Sequence, residues 1–391
     1  DTSAVSPFLD FKVGYAANGI SVDVGRGQSL ASAATTPNQR AAGAAVDTLA
    51  IGQGLTQPLV QLFPAQAMAA LDQLSGELHA SALAVRAESS RRLRDLALGR
   101  AASGQDAFTA QSDATGYAAW VDAGHVGGHL DGDGNAARAE YSGNSTLVGA
   151  EYGFDSGWRI GVMGGSGRND LNVRDRASKA RIDSTTGGLY AGKAWGGLGL
   201  RGGLTWSKDD LSTHRKVAFT GVQDQAHADY KADTAQGFVE LAYRLDAGAW
   251  GWEPYAQFAQ LRVDGKRFAE EGGVSALAGK AGDMRTDLAT AGLRFGVDLK
   301  GTGQEQSWLS LRGGLAYRHA GGDRLPSATV AWQGGDAFAV QGTPLAKDST
   351  VLDAGIAARL SPRVLLEIGY SGQWSGQARD DAANARLSVQ F

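Results

Sequence analysis

The sequence predicts an all-β transmembrane barrel of about twelve antiparallel strands, with an N-terminal α-helical segment threading the lumen. Three observations predict it. From Tyr117 to Phe391, apolar residues recur with a period of two, as on the faces of a pleated sheet. Along that region short turns alternate with long polar, Gly-rich stretches, the asymmetry of barrels that cross a membrane. Upstream, residues 64–100 favour helix and become charged on several faces, which suits a polar cavity.

The bulk composition is compatible with this class. The 391 residues suffice for one large domain and a smaller module. A net charge of −4 gives no case for a nucleic-acid binder. With 56 Gly, 8 Pro and no G-X-Y period, the chain is neither collagen-like nor a plain disordered linker. There is no Cys, which excludes disulfides and Cys-ligated metals. No run approaches the roughly 18 apolar residues of a transmembrane helix. A mean hydropathy of −0.22 is nonetheless compatible with a barrel, where only alternate residues face lipid. No leader sequence opens at Asp1, so the chain reads as a mature or excised piece.

In chain order, residues 8–24 hold two alternating runs around Asn18-Gly19, a hairpin turn signal. A lone hairpin is marginal, so this one is expected to cap a larger β-structure upstream. Residues 36–62 turn helical, with Thr36 as N-cap, Pro37 at N1, and Gly52, Gly54 and Pro58 as breakers. The run from Pro64 first carries an apolar stripe, Met68, Leu71, Leu74 and Leu78. It then carries Arg86, Glu88, Arg91, Arg92, Arg94 and Asp95. The stripe is expected to pack outside the pore against residues 36–62, and residues 85–98 to fill the lumen, with a break near Ser75-Gly76. Residues 101–114 read as a linker.

Twelve strands then follow, from 117–126 to 385–391, separated in part by long polar stretches at 127–143, 167–184, 209–232, 264–287 and 319–347. An even count with a strand at the C-terminus closes the sheet without an edge. The faces separate cleanly. Leu352, Ala354, Ile356, Ala358 and Leu360 oppose Asp353 and Arg359, and Val239, Leu241 and Tyr243 oppose Glu240 and Arg244. A charge on the lipid side costs roughly 2–4 kcal/mol at mid-membrane, so the polar faces are assigned to the lumen. That assignment covers Asp122, Glu151, Arg159, Lys193, Arg201, Glu240, Arg244, Glu253, Arg294, Asp298, Arg312, Asp353, Arg359, Glu367 and Arg386. Trp158, Trp206, Trp252, Trp308, Tyr152, Tyr243, Tyr317 and Tyr370 suit interfacial girdles.

Several stretches resemble a known family. Residues 70–81 (ALDQLSGELHAS) with the Arg-rich run behind them, 145–165 (STLVGAEYGFDSGWRIGVMGG) and 385–391 (ARLSVQF) resemble, in this order, the C-terminal translocator of type V secretion autotransporters. They are similar to those of autotransporters carrying subtilisin-like serine protease passengers. The resemblance implies a barrel in the Gram-negative outer membrane that exports an N-terminal passenger to the cell surface and keeps the linker helix in its pore. It implies lipid, the barrel assembly machinery and the passenger as partners, with no cofactor, no nucleic acid and no catalysis by the barrel itself, and a monomer. Leu387, Val389 and Phe391 match the C-terminal signature that the assembly machinery reads. Residues 1–35 would end the passenger or its stem, 36–114 form the linker, and 115–391 the barrel. Some members cut their linker at an Asn-Asn pair using lumen acids. Glu151 stands about where such an acid is expected, but no Asn lies between Pro64 and Arg100, so that cleavage is not expected.

Other signals in the chain fit plain structural roles. The arginine cluster could bind anionic lipid, but the interspersed Glu88 and Asp95 favour docking to lumen carboxylates. Asp131 to Asn135 begins like a calcium loop, yet Ala136 and Ser142 stand where Gly and Glu are required. His79, His125, His129, His214, His227 and His319 match no zinc or hydrolase motif and are expected at the surface. The alternative function is a lipase- or protease-like outer-membrane enzyme, whose only crude candidates are Asp209, Ser212 and His214. A passive porin is disfavoured because a helix of this length would obstruct conduction.

Overall fold

The computed structural model describes residues 5–50, 52, 54–102, 115–300 and 307–391. Twelve strands form the barrel: β1 (Gly116–Leu130), β2 (Ala139–Gly153), β3 (Trp158–Val173), β4 (Ser178–Trp195), β5 (Leu198–Phe219), β6 (Val222–Tyr243), β7 (Trp250–Gly265), β8 (Asp283–Lys300), β9 (Ser307–Gly322), β10 (Asp348–Ser361), β11 (Val364–Trp374) and β12 (Ala378–Gln390). Each pairs antiparallel with its sequence neighbours, and β12 pairs with β1 from Ala378↔Leu130 to Gln390↔Ala118. The sheet is therefore closed, which removes the unpaired backbone edge that lipid would not tolerate.

The strands are longer than the alternation suggested. Residues 209–232 are not a loop: β5 and β6 continue as a hairpin to Phe219↔Val222. The stretches 127–143 and 167–184 are likewise mostly strand. A reversal of polarity hides these extensions in the sequence. On β5 the outward residues are Leu198, Leu200, Leu204 and Trp206, then Lys208, Asp210, His214 and Lys216. The inward residues pass from Arg201, Thr205 and Ser207 to a mixed set in which Leu211 and Val217 alternate with Asp209, Thr213 and Arg215. The neighbouring strand β6 switches at the matching level: Trp206 pairs with Ala235, and Lys208 with Asp233. Leu198 to Trp206 rise roughly 20 Å along a tilted strand, close to the ~25 Å apolar band of an outer-membrane barrel. Above that level the strands stand in water. Their outer face turns polar, and their inner face gains apolar residues among paired polar ones such as Asp209 and Arg215.

Stretches 264–287 and 319–347 contribute a second, four-stranded sheet: Arg267–Ala269, Leu277–Ala281, Ser327–Trp332 and Phe338–Gln341. It caps the end of the barrel opposite the short turns.

The segment expected as one helix with a single break is three helices, α4 (Pro64–Leu74), α5 (Leu78–Ser89) and α6 (Arg91–Ala101). They follow α1 (Leu30–Ala33), α2 (Pro37–Asp47) and α3 (Thr56–Val60). The first break falls at Gly76, whose φ of +70° is left-handed and favours glycine. The second, at Ser90, was not anticipated. There the Ser89 and Ser90 hydroxyls donate to the Val85 and Ala87 carbonyls at 2.8 and 2.7 Å, back-bonding that bends helices. Thr36 caps α2, accepting from the Gln39 N–H at 3.2 Å, with Pro37 at N1.

Met68, Leu71, Leu74 and Leu78 are buried in one apolar cluster with Val46 and Leu59 of α2 and α3, Leu211 and Val217 of β5, and Trp332 and Phe338 of the cap. The chain thus builds a water-soluble type of core above the membrane band.

The N-terminal hairpin pairs Leu9–Ala16 with Gly19–Arg26. Its turn is Ala17-Asn18, one residue earlier than the Asn-Gly signal placed it. Phe11, Val13 and Tyr15 face Val24, Val22 and Ile20 across the hairpin, and all six are exposed. Of the expected linker 101–114, residues 103–114 lie outside the described residues.

Candidate functional site

The site is the occupied lumen. Helix α6 runs down the barrel against β3, β4 and β5, and a Cβ on Gly192 of β4 would lie 2.0 Å from the Ala101 carbonyl oxygen. Glycine there lets the helix end touch the wall. Arg86 Nε donates to Asp209 at 2.8 Å. Arg91 binds Asp380, and Arg92 binds Asp122. Arg94 Nη1 donates to Gln236 Oε1 at 3.1 Å, while Gln236 Nε2 donates to the Ser90 carbonyl at 2.8 Å, so one wall residue holds the kink residue and the first turn of α6. Glu88 accepts from Gln373 at 3.3 Å. Asp95 lies 3.6 Å from Arg91 and 3.8 Å from Arg94. At the foot of the helix Arg100 clasps Glu151 with two nitrogens, its Nε at 3.0 Å, and both side chains are fully buried. Sequence reasoning missed Arg100. It stands six residues beyond Arg94, separated from the charged cluster by Leu96, Ala97, Leu98 and Gly99.

Of the wall residues assigned to the lumen, thirteen lie on inward-facing positions of the strands: Asp122, Glu151, Arg159, Arg201, Glu240, Glu253, Arg294, Asp298, Arg312, Asp353, Arg359, Glu367 and Arg386. Arg159 donates to Glu151 at 2.8 Å, and Tyr190 donates to the same carboxylate at 2.7 Å. Arg201 and Arg294 share Glu240 and Glu253 at 2.7–3.1 Å. Arg386 bridges Asp122 and Glu367 at 3.2 and 3.3 Å, with Arg312 on Glu367 at 3.4 Å. Asp298 accepts from Ser310 at 2.6 Å. Beside α6 a cavity of about 170 Å³ remains, lined among others by Asp95, Arg294, Arg312 and Asp353.

Two assignments are corrected. Lys193 pairs with Trp158 and Leu200 and shares their outward face. Its ammonium sits 5.7 and 5.3 Å from the Trp158 and Trp195 rings, a snorkelling position at the short-turn rim. The alternation at Lys193 was read one residue out of register. Arg244 is the single residue between β6 and the short strand Leu245–Ala247, its N–H donates to the Gly197 carbonyl in the short turn and its side chain donates to Asp246 at 2.6 Å, so it belongs to the rim.

His79 is a third correction. Expected at the surface, it is fully buried in the extracellular half and stacked 3.8 Å from Phe268. One ring nitrogen lies 2.9 Å from Glu270 and the other 3.0 Å from the Tyr230 hydroxyl. A neutral imidazole satisfies both, donating to Glu270 and accepting from Tyr230. Arg215 also holds Glu270 through two bonds of 2.7 Å. Burial pushes the His79 pKa below its usual value, outweighing the opposing pull of Glu270. Glu270 is itself penalised by burial, but Arg215 and His79 win and hold its carboxyl well below the usual range. Glu270 was missed because its stretch read as loop. Nearby, Glu77 accepts from the Ala137 N–H at 2.8 Å and from Asn38 at 3.3 Å.

The stretch Asp131–Asn135 is an interlocking loop. Asp133 accepts from the N–H groups of Asn135 and Ala136 at 2.9 and 2.8 Å, while Asn135 accepts from the Asn38 N–H at 2.7 Å. Among the described residues no His, Asp and Glu group has metal-holding geometry. Asp209, Ser212 and His214 do not converge. Asp209 faces inward onto Arg86, whereas Ser212 faces outward, donating to Asp229 at 2.5 Å, and His214 stacks on His227.

A closed twelve-stranded barrel with a lipid-facing band and its own upstream chain in the lumen is an outer-membrane barrel of the translocator type. The autotransporter beta-domain family matches residues 119–371, and the chain belongs to it. Among curated proteins it is similar to an extracellular serine protease of Serratia marcescens, 30% identical over 321 residues, covering 82% of this chain and 30% of the relative. It is also similar to esterase EstA of Pseudomonas aeruginosa, 25% identical, covering 68% of this chain and 42% of that protein. The chain thus spans about a third of the length of the serine protease it resembles. Among solved structures it is similar to the translocator domain of autotransporter NalP from Neisseria meningitidis, with a TM-score of 0.63 and 18% identity, over 81% of this chain and all of that one. The beta domain of the Bordetella autotransporter BrkA superposes with a TM-score of 0.51 and 19% identity, over 70% of this chain and 99% of that one. At these identities the likeness concerns the fold.

Proposed function

We propose that this chain translocates a passenger attached at its N-terminal side to the cell surface, then keeps the linker helix in the pore as a plug. One observation carries the reading: the polarity of the threaded chain. Residues upstream of α5 lie in the capped, extracellular half, whereas α6 ends beside Gly192 at the short-turn end, where β1 also begins. A chain with one end above the membrane and the next segment entering the barrel from below has crossed the pore. On this reading residues 1–35 end the passenger or its stem, the linker is 36–114 and the barrel 115–391. The exposed apolar face of the hairpin supports a role as the base of a larger β-structure. The chain acts as a monomer with lipid around it. The outward-facing Leu387, Val389 and the terminal Phe391 form the signature offered to the barrel assembly machinery. The extracellular serine protease relative makes a serine protease passenger the first one to test.

The experiment is an epitope inserted at Ala17-Asn18, probed on intact cells. Antibody labelling and removal by external protease are expected. An epitope reached only after the outer membrane is broken would contradict the reading.

A further inference from the structure

The arginines of the threaded helix are unevenly spaced, at 86, 91, 92, 94 and 100. Four of them meet wall carboxylates on four strands: Arg86 with Asp209 on β5, Arg91 with Asp380 on β12, Arg92 with Asp122 on β1, and Arg100 with Glu151 on β2. A sliding helix returns the same face to a wall after three or four residues, so those slips are the competing resting positions. Each is blocked. An outward slip of three brings Asp95 to the place of Arg92, against Asp122; a slip of four brings it to the place of Arg91, against Asp380. An inward slip of three brings Glu88 against Asp380, and one of four brings it against Asp122. Arg91 and Arg94 alone differ by three, and no two of these arginines differ by four. In every one-turn slip most wall acids lose their partner and one meets another carboxylate.

The wall is also shaped for one position. A Cβ on Gly124 would lie 1.6 Å from Arg92 Nη1, so that guanidinium occupies the space a side chain would need.

We propose that this spacing is a ruler: Arg86, Arg91, Arg92 and Arg100, with Glu88 and Asp95 as the blocking charges, define a single resting register and so the point at which passage of the chain stops. The inference rests on the export reading. Its rival is a tether, in which the stop is set by the length of chain between Ala102 and β1.

The two separate on insertion of four residues between Ala102 and Thr115. Because the chain has no cysteine, spin labels can be placed by Gly99→Cys, where a Cβ meets nothing within 4 Å, and Ser156→Cys in the turn between β2 and β3. The ruler predicts an unchanged distance between labels after insertion. It predicts a distance longer by up to about 6 Å, or a second population, when Arg91→Gln, Arg92→Gln and Arg100→Gln accompany the insertion. Lengthening with the arginines intact would overturn the proposal, as would an unchanged distance without them. If the triple variant does not fold, Asp95→Arg with the insertion replaces it. That change gives Asp380 a partner in the four-residue slip and should produce the second population; its absence would overturn the ruler. Failure of the surface epitope with these distances as predicted would remove the export reading and leave the ruler standing.

Discussion

The lower and upper halves of the barrel use the same strands and opposite chemistry. Below the level of Trp206 the sheet is apolar outside and charged inside; above it, polar outside and mixed inside, where Leu211 and Val217 join an apolar cluster and the inward Asp209 and Arg215 are each tied to a buried partner. The threaded chain follows the same division. Leu71, Leu74 and Leu83 meet an apolar wall, whereas Arg91, Arg92 and Arg100 meet carboxylates. Solvent dictates the inversion. Lipid forces charges into the lower lumen, where the helix must bring counter-charges. Water lets the upper half bury oil as a soluble protein does.

The comparison can be broken most strongly where a buried charge is orphaned. Arg100→Met leaves Glu151 in the lower lumen without its bidentate partner and should cost about 3 kcal/mol in a denaturant titration, the low end for a broken buried pair because Arg159 remains. Next in size is the outer face. Leu189→Arg lies in the lipid band and should cost roughly 2–4 kcal/mol in lipid-reconstituted unfolding. Gln260→Arg, outward but above the band, should change stability by no more than about 0.5 kcal/mol. Equal costs at both sites would erase the proposed boundary.

The smallest effect is pH-dependent and confined to the upper half. Because the folded state lowers the His79 pKa, the unfolded chain takes up a proton first as pH falls. Stability of the extracellular half is therefore full above the usual value of 6.5 and declines below it. Glu270, held low by Arg215 after the burial penalty, adds a loss in the same direction below its usual 4.5. The protection factors of α5 amides, which correct for the pH dependence of intrinsic exchange, should fall between pH 7 and about 5.5, and His79→Gln should flatten that response while protection in α6 stays unchanged.

Fold and strand count were legible because lipid imposes strict alternation, and the charges at Glu240, Arg294 and Glu367 could point only inward. The strand extensions were not legible, since alternation continues past Trp206 with its faces exchanged and Asp210 or Lys216 reads as loop. Lys193 misled because a long side chain at the rim keeps its charge in water from the lipid face. His79 misled because its partners Tyr230 and Glu270 stand 151 and 191 residues away, a distance no local pattern spans. The helix was read as lumenal from its charge, but its kink at Ser90 needed Gln236 to be seen.

The central claim is that α5 and α6 occupy the pore. Single-channel conductance of the intact chain, compared with a variant lacking residues 64–100, tests it most directly. Deletion is expected to raise conductance several-fold; equal conductance in the two would mean that the helices do not fill the pore.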